Sequence, residues 1–158
     1  MSLPDLAVLA EGDLPTGEHW IVKAGGTDTD YYTFLETVRP DGHHDEGGMG
    51  GPPLYPGSLV NTYTGGSERG LRRVLVRADP RVARVRVLLA DGEPLSLSPV
   101  AARADPALTF FAALLPPTVK LVSLTAVDAS GQVVETQSLS FHEEAWQRFL
   151  RRNGGQET

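Results

Sequence analysis

Cysteine is absent from the chain. No disulfide, thiolate nucleophile or cysteine-bound zinc is open to it, which suits a reducing compartment. Lysine is scarce, with twelve arginines against only Lys23 and Lys120. No GxxxxGK[ST] segment occurs, which excludes a P-loop, and no HExxH or HxH pair offers a ready zinc site. Long apolar runs are missing too. The opening MSLPDLAVLAEGDLP has no basic stretch ahead of an apolar core, and no segment approaches the length of a membrane span. A soluble, cytoplasmic protein with no membrane partner is the expectation.

What remains suits one ordinary domain. The 158 residues are 41% hydrophobic, enough to build a packed core. The net charge of -6 is unevenly spread. Residues 1–50 hold ten acids and two basic residues, Lys23 and Arg39. Residues 72–86 hold six arginines and one acid, Asp79. The overall balance argues against nucleic acid as a partner and leaves a local basic strip.

Turn chemistry divides the chain into short strands. Residues 1–17 read as a loosely attached lead-in, where Leu3, Leu6, Val8 and Leu9 suit a helical turn or a short edge strand. EHWIVKAGG predicts a strand over 18–24, and DYYTFLETVRP one over 31–38. GSLVNTYTGG predicts another over 58–64, and LRRVLVRAD alternates up to Asp79-Pro80. RVARVRVLLADGEPLSLSPV holds two strands joined at Asp91-Gly92, a hairpin signal. LTFFAALLPP is a continuous apolar run and should be buried, and VKLVSLTAVDASGQVVETQSL turns at Ser130-Gly131. SFHEEAWQRFLRR places Phe141, Ala145, Trp146, Phe149 and Leu150 at helical spacing, with Ser140 and Glu143 spaced as a capping box. A helix over 141–152 follows, packed by Trp146 and Phe149, then a disordered tail over 153–158.

The expected fold is all-β: one domain over 1–152, an antiparallel β-sandwich of about eight strands with the C-terminal helix packed on it. Over residues 70–140 the order is strand, Asp-Gly turn, strand, apolar strand, Pro-Pro, strand, Ser-Gly turn, strand. This resembles the Ig-like and fibronectin-like sandwich modules of bacterial proteins. The resemblance implies a sandwich and no particular chemistry.

The candidate site is DGHHDEGGMGGPP at 41–53. His43, His44, Asp45 and Glu46 carry donor atoms for a divalent ion. Adjacent histidines point apart in a strand or turn, so the group reads first as a solvated turn tip. A metal-binding protein or metal-dependent enzyme using His43, His44 and Asp45 with His142 is the alternative. Five glycines within 42–51 then lead to Leu54 and Tyr55. So glycine-rich a loop has few side chains to pack, and it orders on a partner or on its own domain. Met49, Leu54 and Tyr55 are its anchors. Arg72, Arg73, Arg77, Arg84 and Arg86 form the expected basic face, either solvated or a complement to the acidic half of a second copy. GGSERG misses GxSxG because Arg69 stands where the last glycine belongs. No catalytic residue is assigned.

The expected function is therefore non-enzymatic: a protein-interaction or self-association module using loop 41–56. Its partner would be another protein or a second copy, with no cofactor and no small-molecule ligand.

Overall fold

The computed structural model describes residues 6–66 and 70–154. Among these residues lie twelve strands and one helix. The strands are β1 (Ala7–Asp13), β2 (His19–Gly26), β3 (Tyr31–Val38), β4 (His44–Met49), β5 (Val60–Gly66) and β6 (Arg72–Ala78). They continue as β7 (Val82–Leu89), β8 (Pro94–Leu97), β9 (Ala101–Ala104), β10 (Ala107–Leu115), β11 (Leu121–Asp128) and β12 (Val133–Ser138), before helix α1 (Ser140–Gly154). They build three antiparallel sheets: A, ordered β1-β2-β3-β4; B, ordered β5-β6-β10-β9; and C, ordered β12-β11-β7-β8. The chain is thus mostly β with one C-terminal helix, as expected, but in three sheets. β1 takes up the edge-strand option in the lead-in and pairs with β2 from Ala7 to Asp13. β4 replaces half of the expected loop and pairs with β3 from Val38↔His44 to Thr33↔Met49.

Sheet B is covered on both faces, and strand geometry explains how. Side chains alternate along a strand, so one strand can feed two cores. On β6, Val74, Val76 and Ala78 join Val85 and Val87 of β7 and Leu124 of β11 in the largest core. Leu75 joins Val22 and Leu35 of sheet A instead. On β10, Phe111 takes the first side, while Leu108 and Phe110 meet Ala24 and Tyr31 on the other. Every residue of β6 is buried.

The B–C seam is closed by polar side chains. Glu135 of β12 accepts from Leu59 N (2.8 Å) and Ser58 Oγ (3.1 Å). Gln137 donates to Val60 O (2.8 Å) and accepts from Thr62 Oγ1 (3.0 Å). An inward carboxylate and amide thereby occupy backbone groups that an edge strand would otherwise offer to another chain.

Both short turns form. Gly92 (φ 89°) and Gly131 (φ 89°) sit where the tight connections β7–β8 and β11–β12 need a positive φ, which glycine adopts without a Cβ clash. Helix α1 buries Trp146, whose indole donates to Pro117 O (3.1 Å), and Phe149 stacks on it at 5.3 Å. The expected capping box does not close. The Glu143 carboxylate turns away to Leu121 N (3.0 Å) and Arg72 Nη1 (2.6 Å), because a buried cation competes with the helix terminus. The helix includes Asn153 and Gly154, which replaces the start of the expected disordered tail; 155–158 lie outside the described residues. Among the described residues no helix is long and apolar enough to cross a membrane.

Candidate functional site

The outer face of sheet A is ordered by its register into rows. The first row runs Asp13, His19, Val38, His44. The second runs Glu11, Ile21, Glu36, Glu46. The third runs Val8, Lys23, Phe34, Gly48, and in the fourth Gly25 stands beside Tyr32. Charged and imidazole groups dominate the first two rows, interrupted by Val38 and Ile21; the two aromatic rings and the glycines stand in the last two, with Lys23 and Val8.

The rings of Tyr32 and Phe34 are stacked and parallel to within 2°, with centroids 6.3 Å apart. Glycine makes this possible. A Cβ on Gly48 would run into the Phe34 ring and Thr33 O, and a Cβ on Gly50 would stand 3.1 Å from the Tyr32 ring. The two rings therefore occupy the space that side chains on β4 and the residue after it would otherwise fill. They belong to none of the buried core clusters and are partly exposed. Aromatic cover of strand glycines also stabilises the sheet locally.

A chain of ion pairs borders the rings. Lys23 Nζ lies 2.8 Å from Glu36 Oε2 and 3.0 Å from Glu46 Oε2, and His44 Nδ1 lies 2.5 Å from Glu36 Oε1. The hydrogen bond to Glu36 holds the Lys23 ammonium above its ordinary value, aided by Glu46. Burial pushes Glu36 up, but bonds from Lys23 and His44 outweigh it, leaving the carboxyl below its usual value. At the far corner His19 is held above the ordinary imidazole value, first by Asp13 (2.8 Å) and then by Glu11 (3.0 Å).

Beneath the aromatic end lies Arg77, fully buried and reaching across from sheet B. Its Nε donates to Pro53 O (2.8 Å). Nη1 donates to Tyr31 O (2.9 Å) and Thr33 Oγ1 (3.1 Å), and Nη2 to Gly50 O (2.8 Å) and Pro52 O (2.7 Å). Five donors meet five acceptors, and the guanidinium also sits 5.4 Å from the Tyr31 ring centre. Burial pushes its pKa down to about 10, which still leaves it charged at neutral pH. This cation ties the segment 50–53 to β3. Leu54 packs on the core with Tyr31 and Phe110, while Tyr55 stays 57% exposed. The anchors expected of a loose loop are thus divided: Met49 and Leu54 face inward, and Tyr55 faces out.

The other expected groupings are taken apart by strand alternation. His43 reaches Asp45 (3.5 Å), His44 reaches Glu36, and His142, in the first turn of α1, pairs with Thr64 Oγ1 (3.1 Å) of β5. Neighbours on β4 face opposite sides, so His44 and Asp45 diverge. Among the described residues no group of three or more His, Cys, Asp or Glu could hold a metal ion. The basic face also fails to assemble. Arg72, Arg73 and Arg77 are 0%, 4% and 0% exposed, while Arg84 and Arg86 of β7 are exposed. Arg72 pairs with Glu143 and Val119 O (3.0 Å) and lies 5.2 Å from the Trp146 ring centre. Burial pushes the Glu143 carboxyl up, but bonds from Leu121 N, Gln147 and Arg72 hold it below its ordinary value.

Tyr32, Phe34, Lys23 and Glu36 were not singled out by sequence reasoning. The available signal was Tyr32 and Phe34 two apart in a strand, with Gly48 and Gly50 two apart in the segment that pairs next to it. The chain matches no protein-family model, no curated protein and no solved structure.

Proposed function

We propose that the chain is a non-enzymatic binding module whose contact surface is the outer face of sheet A together with the ledge 50–56. The observation that carries this is the clamp at Arg77. Five hydrogen bonds from one buried side chain hold the backbone beneath Tyr32 and Tyr55, so the aromatic surface is presented without an ordering cost on binding. Partly exposed aromatic side chains on a rigid support are the usual anchors of recognition surfaces. The contact region therefore stays near the expected loop but rests on strands β3 and β4. Self-association through a broad basic face loses support, since three of its five arginines are interior.

Sheets B and C together have eight strands around the largest core. This supports reading that part as a sandwich of the Ig-like kind, with sheet A as an added layer that bears the site.

The test is affinity capture from the native host with intact protein beside Phe34→Leu and Tyr55→Ser. A bound partner retained by the intact chain and lost with the variants is the expected result. Equal capture by all three, with their folds intact by circular dichroism, would overturn the assignment of this face.

A further inference from the structure

We infer that the cleft between sheets A and B beside Arg73 binds a small apolar monocarboxylate, with its hydrocarbon body against Trp20 and Leu35 and its carboxylate on the Arg73 guanidinium. The site lies on the inner side of sheet A and is independent of the outer face proposed above. Three observations carry it.

The first is an unmatched charge. Arg73 is 4% exposed, and its Nε has no hydrogen-bond partner. Among the described residues no carboxylate forms an ion pair with it. The other two arginines of β6 are matched, Arg77 by its five acceptors and Arg72 by Glu143. A buried guanidinium without a counter-ion is held at a cost to the fold, and a bound anion removes that cost.

The second is the cleft itself. Its volume is about 160 Å³, and every residue lining it is apolar, Trp20, Leu35, Val100, Ala112 and Leu114 among them. Leu35 is buried and the other four are partly exposed, so the space is reached from solvent. An apolar cavity of about 150 Å³ takes up a benzene ring.

The third is register. Arg73 stands directly across from Leu114 on β10, and such neighbours project from one face with Cβ atoms about 5 Å apart. On that face of β6, Arg77 meets Thr33 and Leu75 packs with Leu35. Two residues further along, Arg73 comes over Thr37, whose cross-strand neighbour is Trp20. Leu114 and Trp20 both line the cleft, so the cation stands at its border. Asp45, third in the row of Trp20 and Thr37, is engaged by Arg39 (3.1 Å) and His43 (3.5 Å). One guanidinium matches one negative charge, and its planar fork donates two parallel bonds to a carboxylate. The apolar space beside it calls for a hydrocarbon body on the same molecule.

The experiment is isothermal titration calorimetry of the full chain with benzoate, cyclohexanecarboxylate and hexanoate. Benzamide and hexanamide are the neutral controls, and acetate and inorganic phosphate test the anion alone. Binding of at least one of the three acids is expected, with acetate, phosphate and the neutral amides weaker by about tenfold or more. Arg73→Met should abolish binding at an equal or higher melting temperature, because it removes an unmatched buried charge. Ala112→Leu fills the cleft and should also abolish it. Failure of all three acids to bind overturns the inference. So does an amide that binds as well as its acid, acetate or phosphate that binds as well as the larger acids, or binding that survives Arg73→Met.

Discussion

Strands β6 and β7 are written in similar letters and live in different surroundings. RRVLVRA and VARVRVLL both intersperse arginine among valine and leucine. All seven residues of β6 are buried, whereas Ala83, Arg84, Arg86 and Leu88 of β7 are exposed. An alternating pattern reports that one face of a strand is buried; it does not say whether the other face is wet. Sheet A lies on the face of β6 that carries Leu75 and Arg77, and α1 closes over Arg72 on the other face, so these two arginines meet their partners inside. Arg77 found four carbonyls and a hydroxyl, and Arg72 found Glu143 and the Trp146 ring. A guanidinium suits this role because it spreads one charge over five donors in a plane.

The sharpest way to break the comparison is Arg77→Lys. An ammonium has three donors and cannot serve five acceptors on two elements. Bare buried carbonyls cost about 1–3 kcal/mol each, so the loss should reach about 3 kcal/mol or more. The urea midpoint measures it, and a loss below about 1 kcal/mol would show that water or a shifted backbone takes over.

Next comes Glu143→Gln, which leaves Arg72 without its carboxylate. A loss of about 2 kcal/mol is expected from breaking a largely buried pair. The Glu143 carboxyl has a folded pKa below its unfolded one. Its stabilisation is therefore present above the unfolded value and lost as pH falls through the folded value. The variant should accordingly show a flatter acid limb in stability against pH.

Two histidines make a finer contrast, readable by NMR titration. His19, exposed beside Asp13 and Glu11, should titrate above the ordinary imidazole value. It stabilises the fold fully below the unfolded pKa, and that contribution is lost as pH rises through the folded pKa. His142, half-buried in the first turn of α1, has its pKa lowered by burial and then by Arg72. Its effect has the opposite sign: the fold favours the neutral ring, and stability declines as pH falls through the ordinary value toward the lower folded one. Asp13→Asn should bring His19 down without moving His142. If both shift together, the change is global.

The smallest effect belongs to the wet strand. Arg84→Ala and Arg86→Ala should each change stability by less than about 0.5 kcal/mol. A larger loss in either would mean that this face of sheet C is covered in solution.

Much of the local structure was legible because it depends on neighbours in the chain. The strands at 18–24 and 31–38, the turns at Asp91-Gly92 and Ser130-Gly131, and the Trp146 face of the helix all rest on short-range pattern. β4 was missed because HDEGGM has little strand propensity. It is a strand because β3 offers it a partner edge and the rings of Phe34 and Tyr32 cover its glycine and the next one. The candidate site was legible only as a region. His43, His44 and Asp45 drew attention through their chemistry, yet the residues that shape the surface are Tyr32, Phe34 and the glycines opposite them.

The sequence by itself determined that the chain would be β-rich, where it would turn, and that a helix would end it. Periodicity, turn residues and helix signals act over a few residues and need no knowledge of distant segments. Only the tertiary structure decided that three sheets form, that β6 lies between two cores, and that Arg77 ties down residues 50–53 where a free loop was expected. Each of those outcomes depends on which strand lies over which face, and that contact joins residues far apart in the chain.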